Sequence, residues 1–208
     1  YGEQFTAGHL GRQPGAERRE SLVLAALVRL AFALGNLTGT NEANRHRIGV
    51  QYGGARSLPN LLRCCGMAWI NSWDTRWAMK KRGARPKDRR CEELEGLLVK
   101  VARLMANVGI NREGGVLMAC RSDMRVVSVL LGYCFEVMAE EMPVVPADAT
   151  SDGCLQPGEE LLLNLVSLVT NLSFYGHYPD PEKCNVLFTL AAEDLALMLV
   201  DALLHPNR

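Results

Sequence analysis

The sequence predicts an all-α protein in which about three helical units stack side by side. Three segments are near-copies of one phrase: LAFALGNLT at Leu30–Thr38, VARLMANVG at Val101–Gly109 and VSLVTNLS at Val166–Ser173. Each is an apolar stretch of helical type in which Asn is followed by Leu or Val. Recurrence of such a phrase is the signature of a repeat architecture, whose units share one core and bind partners over a long surface.

Composition indicates a folded chain and gives no sign of catalysis. Of the 208 residues, 48% are hydrophobic and 22% are charged, which is close to an ordinary globular domain. The formal net charge of zero argues against a dedicated nucleic-acid binder. The sequence contains neither a phosphate-binding loop nor a nucleophile elbow, so we expect no enzymatic activity and no cofactor.

Cysteine usage and hydropathy indicate a cytoplasmic protein. The seven Cys form no Cys-x-x-Cys pair and have no ligand-like spacing to the four His, so no metal site is predicted. Their odd number and apolar settings favour a reducing compartment. The longest apolar run, Ser21–Leu37, carries Arg29 at its middle, which favours a buried repeat helix over a membrane span. We expect the chain to be an excerpt of a longer protein.

The first unit follows a tail or loop predicted at residues 1–16. A long helix is predicted at Glu17–Thr38, and a short, polar helix at Glu42–Val50. The Gly53-Gly54 pair then predicts a tight turn. Ser57 is the expected N-cap of a medium helix that carries Pro59 in its first turn.

The same order of helices is predicted to recur along the chain. A short helix at Arg112–Cys120 precedes a medium helix capped by Ser122, and the next long helix is Glu159–Ser173. Pro181–Leu190 and Ala192–Leu204 are predicted to repeat the short and medium pair. Asn36 and Asn107 lie 71 residues apart, and Asn107 and Asn171 lie 64 apart, whereas such units usually need about 40–47 residues. Loop insertions are therefore predicted at residues 71–90 and 142–157.

The three repeated asparagines are candidate ligand-binding residues. Asn36, Asn107 and Asn171 would form a ladder along the long helices, and a side-chain amide can bond the backbone of an extended peptide. The alternative is that each Asn braces its own helix end. Helical spacing places a set of neighbours on the same face: Arg29, Phe32, Lys100, Arg103, Asn164 and Ser167. The basic members favour an extended, acidic protein segment as the partner, and a simple solvated surface is the alternative.

A second candidate site combines tryptophans with a basic run. Trp69, Trp73 and Trp77 lie at a spacing of four residues, and eight Lys or Arg fall within Arg76–Arg90. Either the medium helix runs past its normal end and packs the tryptophans on the array, or the tryptophans anchor a partner helix. The basic run either is a solvated loop or contacts an acidic surface such as tubulin, RNA or lipid headgroups. It is also a weak match to a nuclear-import signal.

The stretch Asn44–Leu62, NRHRIGVQYGGARSLPNLL, resembles the first two helices of an armadillo repeat, and LAFALGNLT precedes it. This resemblance implies an armadillo-type right-handed α-solenoid. LVKVARLMANVGINREGGVLMA at 98–119 and NLVSLVTNLSFYG at 164–176 further resemble a family of armadillo proteins from ciliated and flagellated cells. The similarity covers about residues 28–204 without the two insertions.

The closer resemblance implies a non-catalytic scaffold or adaptor in cilium or flagellum assembly, linked to delivery of radial-spoke components to the axoneme. Armadillo import receptors carry Trp four residues before each groove Asn, whereas Phe32, Arg103 and Ser167 stand there in this chain, so an import receptor is not expected. A structural module of a microtubule-based assembly, held through its insertions, is the alternative, as is a generic peptide-binding adaptor. The oligomeric state stays open.

Overall fold

A computed structural model describes residues 14–81, 89–141 and 158–175, which are helical almost throughout and contain no β-strand. The helices are α1 (Pro14–Gly39), α2 (Glu42–His46), α3 (Gly54–Lys81), α4 (Arg89–Ile110), α5 (Arg112–Ala119), α6 (Val126–Glu141) and α7 (Glu159–Ser173). A π-helical turn, Arg47–Gln51, continues α2, and a 3₁₀ turn, Ser122–Arg125, leads into α6.

The three long helices that carry the repeated phrase form one layer. Helix α4 lies between α1 and α7 and packs extensively on both. Near the N-terminal ends, Ser21 Oγ donates to Glu93 Oε1 at 2.8 Å. Near the C-terminal ends, Asn107 Nδ2 donates to the Gly35 carbonyl at 2.9 Å. Because both ends pair in the same order, α1 and α4 run parallel.

A second layer consists of α3 and α6, which pack on each other and on the long helices α4 and α7. Gly66 of α3 lets the backbone approach Leu130 of α6, since a Cβ at Gly66 would lie 3.1 Å from both Leu130 methyl carbons. Leu62 and Leu130 are fully buried between the layers. One hydrophobic core therefore runs through all the long and medium helices.

The short helices α2 and α5 join the layers at the C-terminal edge of the long helices. Gly53 has φ +70°, a left-handed conformation that glycine adopts without steric cost, and this sharp turn starts α3. Asn111 caps α5, because its Oδ1 accepts from Gly114 N at 2.9 Å. Asn41 caps α2 in the same way through Asn44 N at 3.0 Å.

Several predicted boundaries need correction. Helix α1 begins at Pro14, where a missing N–H costs little, so residues 14–16 of the predicted tail are helical. Ser57 lies inside α3 and donates to the Gly53 carbonyl at 3.1 Å, so it is not the N-cap. Ser122 does not cap either, since it is the first residue of the 3₁₀ turn and Arg121 occupies the cap position without a side-chain bond.

The first predicted insertion is largely helical. Helix α3 continues to Lys81 and α4 begins at Arg89, which leaves residues 82–88 between them outside the described residues. The second predicted insertion, 142–157, and the helices predicted at Pro181–Leu190 and Ala192–Leu204 also lie outside the described residues. The long helix predicted at Glu159–Ser173 is confirmed by α7.

Helix α1 is the one described helix whose length and apolar composition match a membrane span. An 18-residue window within Arg18–Gly39 has a mean hydropathy of 1.8, and 22% of that window is buried inside the protein. A single such helix is weak evidence for a membrane span, because core helices of soluble proteins share these properties. Leu24, Ala31 and Thr38 pack on the core, and the opposite side of α1 is exposed to solvent.

Candidate partner-binding face

Two of the three repeated asparagines form hydrogen bonds between neighbouring long helices. The Asn107 amide on α4 donates to the Gly35 carbonyl on α1 at 2.9 Å and lies 3.4 Å from Thr38 Oγ1. The Asn171 amide on α7 donates to the Ala106 carbonyl on α4 at 2.8 Å. Each acceptor is the residue directly before the preceding Asn of the ladder. The Asn ladder is thus a repeating link from each helix to the one before it.

This geometry changes what the asparagines offer to a ligand. A carbonyl oxygen only accepts, so the amide nitrogen of each Asn must face it. Both N–H groups of Asn107 are directed to α1, which leaves its Oδ1 as the group for a peptide N–H. The alternative role that we considered, bracing the helix's own end, is corrected to bracing the neighbouring helix. Peptide binding by the ladder remains a prediction.

Asn36 occupies the same position on α1 but is exposed and forms no hydrogen bond with the described residues. Asn36 therefore belongs to the ladder by its position on the helix, but it forms no bond to a neighbouring helix among the described residues. The physical reason is that α1 is the first of the described long helices, so no preceding long helix among them offers Asn36 a carbonyl.

The other residues of the predicted groove lie on the side of the long helices that faces away from α3 and α6. We call this the open face and define it by Arg29, Phe32, Lys100, Arg103, Asn164 and Ser167. Arg29, Phe32, Arg103 and Ser167 are exposed, with Phe32 at 49%, and the other two are half-buried. Within residues 14–81, 89–141 and 158–175, neither Arg29 nor Arg103 forms an ion pair. These two guanidinium groups are the strongest candidates for contact with a carboxylate.

The remaining polar side chains of the open face are engaged within the protein. Lys100 Nζ lies 3.0 Å from Glu160 Oε1 on the next helix, which offsets its charge. Asn164 donates to the Glu160 carbonyl at 2.7 Å, and Ser167 donates to the Leu163 carbonyl at 2.8 Å. The positive character of the face therefore concentrates on α1 and α4, which carry Arg29 and Arg103.

The tryptophan stripe of α3 packs against α6. Trp69 and Trp73 are buried, and Trp77 is partly buried. The Trp69 and Trp73 rings meet edge to face with centroids 6.4 Å apart, and Trp77 stacks on Tyr133 at 5.4 Å. These contacts are what the packing interpretation expects. A role as partner anchor remains a prediction, and Trp77 is the member of the stripe that it would involve.

Polar groups border this aromatic cluster. The Tyr133 hydroxyl donates to the Asp74 carboxylate, and the Arg76 guanidinium lies 4.4 Å from the centroid of Trp73. Burial, reinforced by the Asp74 carboxylate, raises the pKa of Tyr133 well above its ordinary value. The indole N–H groups of Trp69, Trp73 and Trp77 have no hydrogen-bond partner in the described part of the chain, so ring contacts hold the cluster together there.

Sequence reasoning missed a polar network at the C-terminal edge of the long helices. Asn111 Nδ2 donates to Glu42 Oε1 at 2.6 Å, and this bond lowers the pKa of the Glu42 carboxyl. The Tyr175 hydroxyl donates to the Ile110 carbonyl at 2.9 Å. One signal was available: an Asn within two residues of the end of a long helix, with Glu one or two residues later, occurs at both Asn41 and Asn111.

A cleft of about 960 Å³ opens at the other edge, between the N-terminal part of α1 and the C-terminal part of α3. Its lining includes Ser21, Leu24, Ala68, Asn71 and Arg89, with charges of both signs at the rim. Glu20 pairs with Arg90 across this rim at 2.7 Å. Because the lining combines apolar, polar and oppositely charged side chains, the cleft indicates no particular class of ligand.

The described residues hold no cluster of three or more His, Cys, Asp or Glu side chains that could bind a metal ion. Cys64, Cys65, Cys91, Cys120 and Cys134 are thiols, and Cys134 is buried, which raises its pKa to about 12. Cys154 and Cys184 lie outside the described residues.

Parallel long helices in one layer, medium helices in a second and a repeated inter-helix amide bond define a helical repeat scaffold, consistent with an armadillo-like α-solenoid. The chain is similar to armadillo repeat-containing protein 2, at 28% identity over 159 residues to the Bos taurus protein and 26% over 163 residues to the Homo sapiens protein. These alignments cover 76% of this chain but 16% of each relative.

The Mus musculus protein of the same name is 26% identical over 149 residues, which is 72% of this chain and 14% of that protein. The resemblance predicted from the sequence is thereby confirmed, and the chain spans a small part of the length of these curated relatives. No family model and no solved structure matches the chain.

Proposed function

We propose that the chain is part of an armadillo-type, right-handed solenoid of about three units that acts as a protein-binding scaffold and takes an extended, acidic segment on its open face. One observation carries the proposal: Arg29 and Arg103 are exposed on this face without an ion-pair partner among the described residues. An exposed aromatic ring, Phe32, lies one helical turn from Arg29. Arginine and aromatic side chains are the usual anchors of protein interfaces.

The spacing of the helices suits an extended ligand. Packed helices lie about 8–10 Å apart, and an extended chain advances about 3.3 Å per residue, so neighbouring long helices contact ligand residues about three apart. A ligand with acidic residues at that spacing would place one carboxylate on Arg29 and the next on Arg103. Asn107 would contribute its free Oδ1 as an acceptor for a ligand N–H, because its amide is directed to α1.

An array of extended peptides with Asp or Glu at every third position tests the proposal. We expect the R29A/R103A variant to lose about tenfold or more in affinity, and the wild-type affinity to fall as salt rises. The matched control is R56A/R125A, which removes the same charge from exposed arginines elsewhere on the protein. Equal binding by R29A/R103A and the wild type would disprove a ligand site on the open face.

We further propose that the scaffold works in the cytoplasm and in cilia or flagella, as an adaptor for axoneme or radial-spoke assembly. The similarity to armadillo repeat-containing protein 2 supports this part of the proposal through the resemblance described above. The test is tagging of the complete protein in a flagellated cell, with proximity labelling and extraction of demembranated axonemes at moderate salt. An adaptor would be released by the salt. Retention on the axoneme would favour a structural module instead.

A further inference from the structure

Each long helix carries an apolar stripe at fixed positions relative to its repeated Asn. The stripe takes the residues ten, six and three positions before the Asn and one position after it. On α4 and α7 all of these are buried: Leu97, Val101, Leu104, Val108, Leu161, Leu165, Leu168 and Leu172. On α1 the equivalent residues, which we call the outer stripe, are Ala26, Leu30, Ala33 and Leu37. The outer stripe is exposed, with Leu30 at 55% and Leu37 at 54%.

On α4 and α7 this stripe faces the unit before it. A Cβ at Gly109 of α4 would lie 3.4 Å from Leu172 of α7, so Leu172 packs directly on the preceding long helix. Val108 of α4 likewise packs on Gly49 in the turn after α2, which belongs to the first unit. The outer stripe of α1 is thus the same contact surface without the helix that covers it elsewhere.

The Asn36 amide, which has no acceptor in residues 14–81, 89–141 and 158–175, is a second, independent sign of the same missing neighbour. In α4 and α7 the equivalent amides donate to a backbone carbonyl of the preceding helix, at 2.9 Å and 2.8 Å. The acceptor residues, Gly35 and Ala106, are small and stand directly before an Asn. Asn36 has no such acceptor among the described residues, although it lies beside the outer stripe.

We infer that the outer stripe of α1 and the Asn36 amide together seat another long helix of the same kind, from a further repeat unit of the same polypeptide. The seated helix runs parallel to α1 and offers to Asn36 the carbonyl of a small residue near its C-terminal end. The relatives are long enough to contain such units, because this chain spans 16% of the bovine and human proteins.

The outer stripe also specifies the shape of its partner helix. Ala26 and Ala33 replace Leu97 and Leu104 of α4 at equivalent positions. Since cores are packed to near-crystalline density, the lost volume must be filled from the other side. The seated helix therefore carries bulkier side chains than Val28 and Ala31, which α1 itself presents to α4.

The test is cysteine labelling of the complete protein as the cell makes it, with labelled sites resolved by mass spectrometry. L30C on the outer stripe is compared with V129C on α6, whose side chain is 50% exposed. We expect L30C to react at least about tenfold more slowly than V129C, and the added N36A change to speed labelling of L30C alone. Hydrogen exchange of the unsubstituted protein gives a second measurement, in which α1 should be as protected as α4.

Equal reactivity of L30C and V129C, with rapid exchange in α1, would overturn the inference. Protection that N36A leaves unchanged would also overturn it, because the seated helix would then lack the predicted carbonyl. Protection that disappears on dilution, together with the mass of a dimer, would assign the outer stripe to a second copy and not to the same polypeptide. None of these outcomes affects the ligand site proposed on the open face, which is tested separately.

Discussion

The ring of Tyr175, just beyond α7, lies directly against the α-carbon of Gly115 in α5, and its hydroxyl donates to the Ile110 carbonyl at the end of α4. A Cβ at Gly115 would overlap the ring atoms of Tyr175 and approach the Gly109 carbonyl oxygen to 2.8 Å. A glycine in the middle of a short helix usually weakens it. Here the glycine is required, because it admits the ring that links the third unit to the second.

Replacing Gly115 by alanine should therefore destabilise the protein despite the better helix propensity of alanine. We expect a loss of about 1–3 kcal/mol in the free energy of unfolding, the usual cost of overpacking. Urea unfolding measures this loss. The matched control is G96A, since a Cβ at Gly96 of α4 meets no atom within 4 Å and should stabilise the helix by about 0.5–1 kcal/mol. A stabilising G115A would show that Tyr175 does not hold this position.

Removal of the Asn107 amide should destabilise the stack. N107A loses the bond to the Gly35 carbonyl, which is worth about 1 kcal/mol, and leaves a partly buried acceptor unpaired. N107D should cost more, since a carboxylate cannot donate to a carbonyl and would face it with negative charge. N36A in the 208-residue chain is the control and should be nearly neutral. Equal urea midpoints for N107A and N36A would contradict a bracing role.

The Trp stripe should behave as core. W73A removes a ring that is 1% exposed and should cost about 3–5 kcal/mol, whereas W77F, at a partly buried position, should cost much less. Thermal unfolding and tryptophan fluorescence measure both effects. If W73A kept the stability of the wild type and lost a partner helix instead, the anchoring hypothesis would replace the packing interpretation.

Stability should fall at alkaline pH because of Tyr133. Burial beside Asp74 raises the pKa of Tyr133 in the folded protein, while an unfolded tyrosine titrates near about pH 10. The folded state therefore keeps a proton that the unfolded chain loses. This contribution is complete below about pH 10 and declines as pH rises from there toward the folded pKa.

Urea midpoints measured at about pH 8 and about pH 11 should drop further for the wild type than for Y133F. The exposed Tyr52, changed to Phe, provides the control and should leave the pH dependence of the wild type intact. Tyr175 also has a pKa raised by burial, so a residual decline is expected in Y133F. Identical declines in Y133F and the wild type would contradict the assignment to Tyr133.

The sequence predicted the long helices well because their apolar periodicity is local information. The helix predicted at Glu159–Ser173 has the same bounds as α7, and the short helix predicted to begin at Glu42 begins there as α2. The sequence left the end of α3 open, because the composition of residues 71–90 predicts an insertion whereas the four-residue Trp spacing predicts a helix that runs past its normal end; α3 continues to Lys81. The Trp side chains of α3 pack on Tyr133, which lies 56 residues after Trp77 in the sequence. Local composition does not encode a contact between residues so far apart.

The role of the asparagines could not be predicted for a similar reason. The acceptor of Asn107 is a backbone carbonyl 72 residues earlier, and every residue has a carbonyl, so the sequence does not distinguish the one that is used. The residues on the open face were predictable from helical spacing, because spacing alone places side chains on a common side. The structure was needed to show which of these charges are already paired, as Lys100 is with Glu160.

Helices α1 and α4 are tied near both ends, through Ser21 and Glu93 at one edge and through Gly35 and Asn107 at the other. Two helices joined at one end alone could splay apart by rotating about that end. With both ends tied, splaying breaks a polar contact whichever edge opens, so the layer resists flexing. The two backbone positions that carry Arg29 and Arg103 are consequently held in a more constant register than in a pair of helices tied at one end.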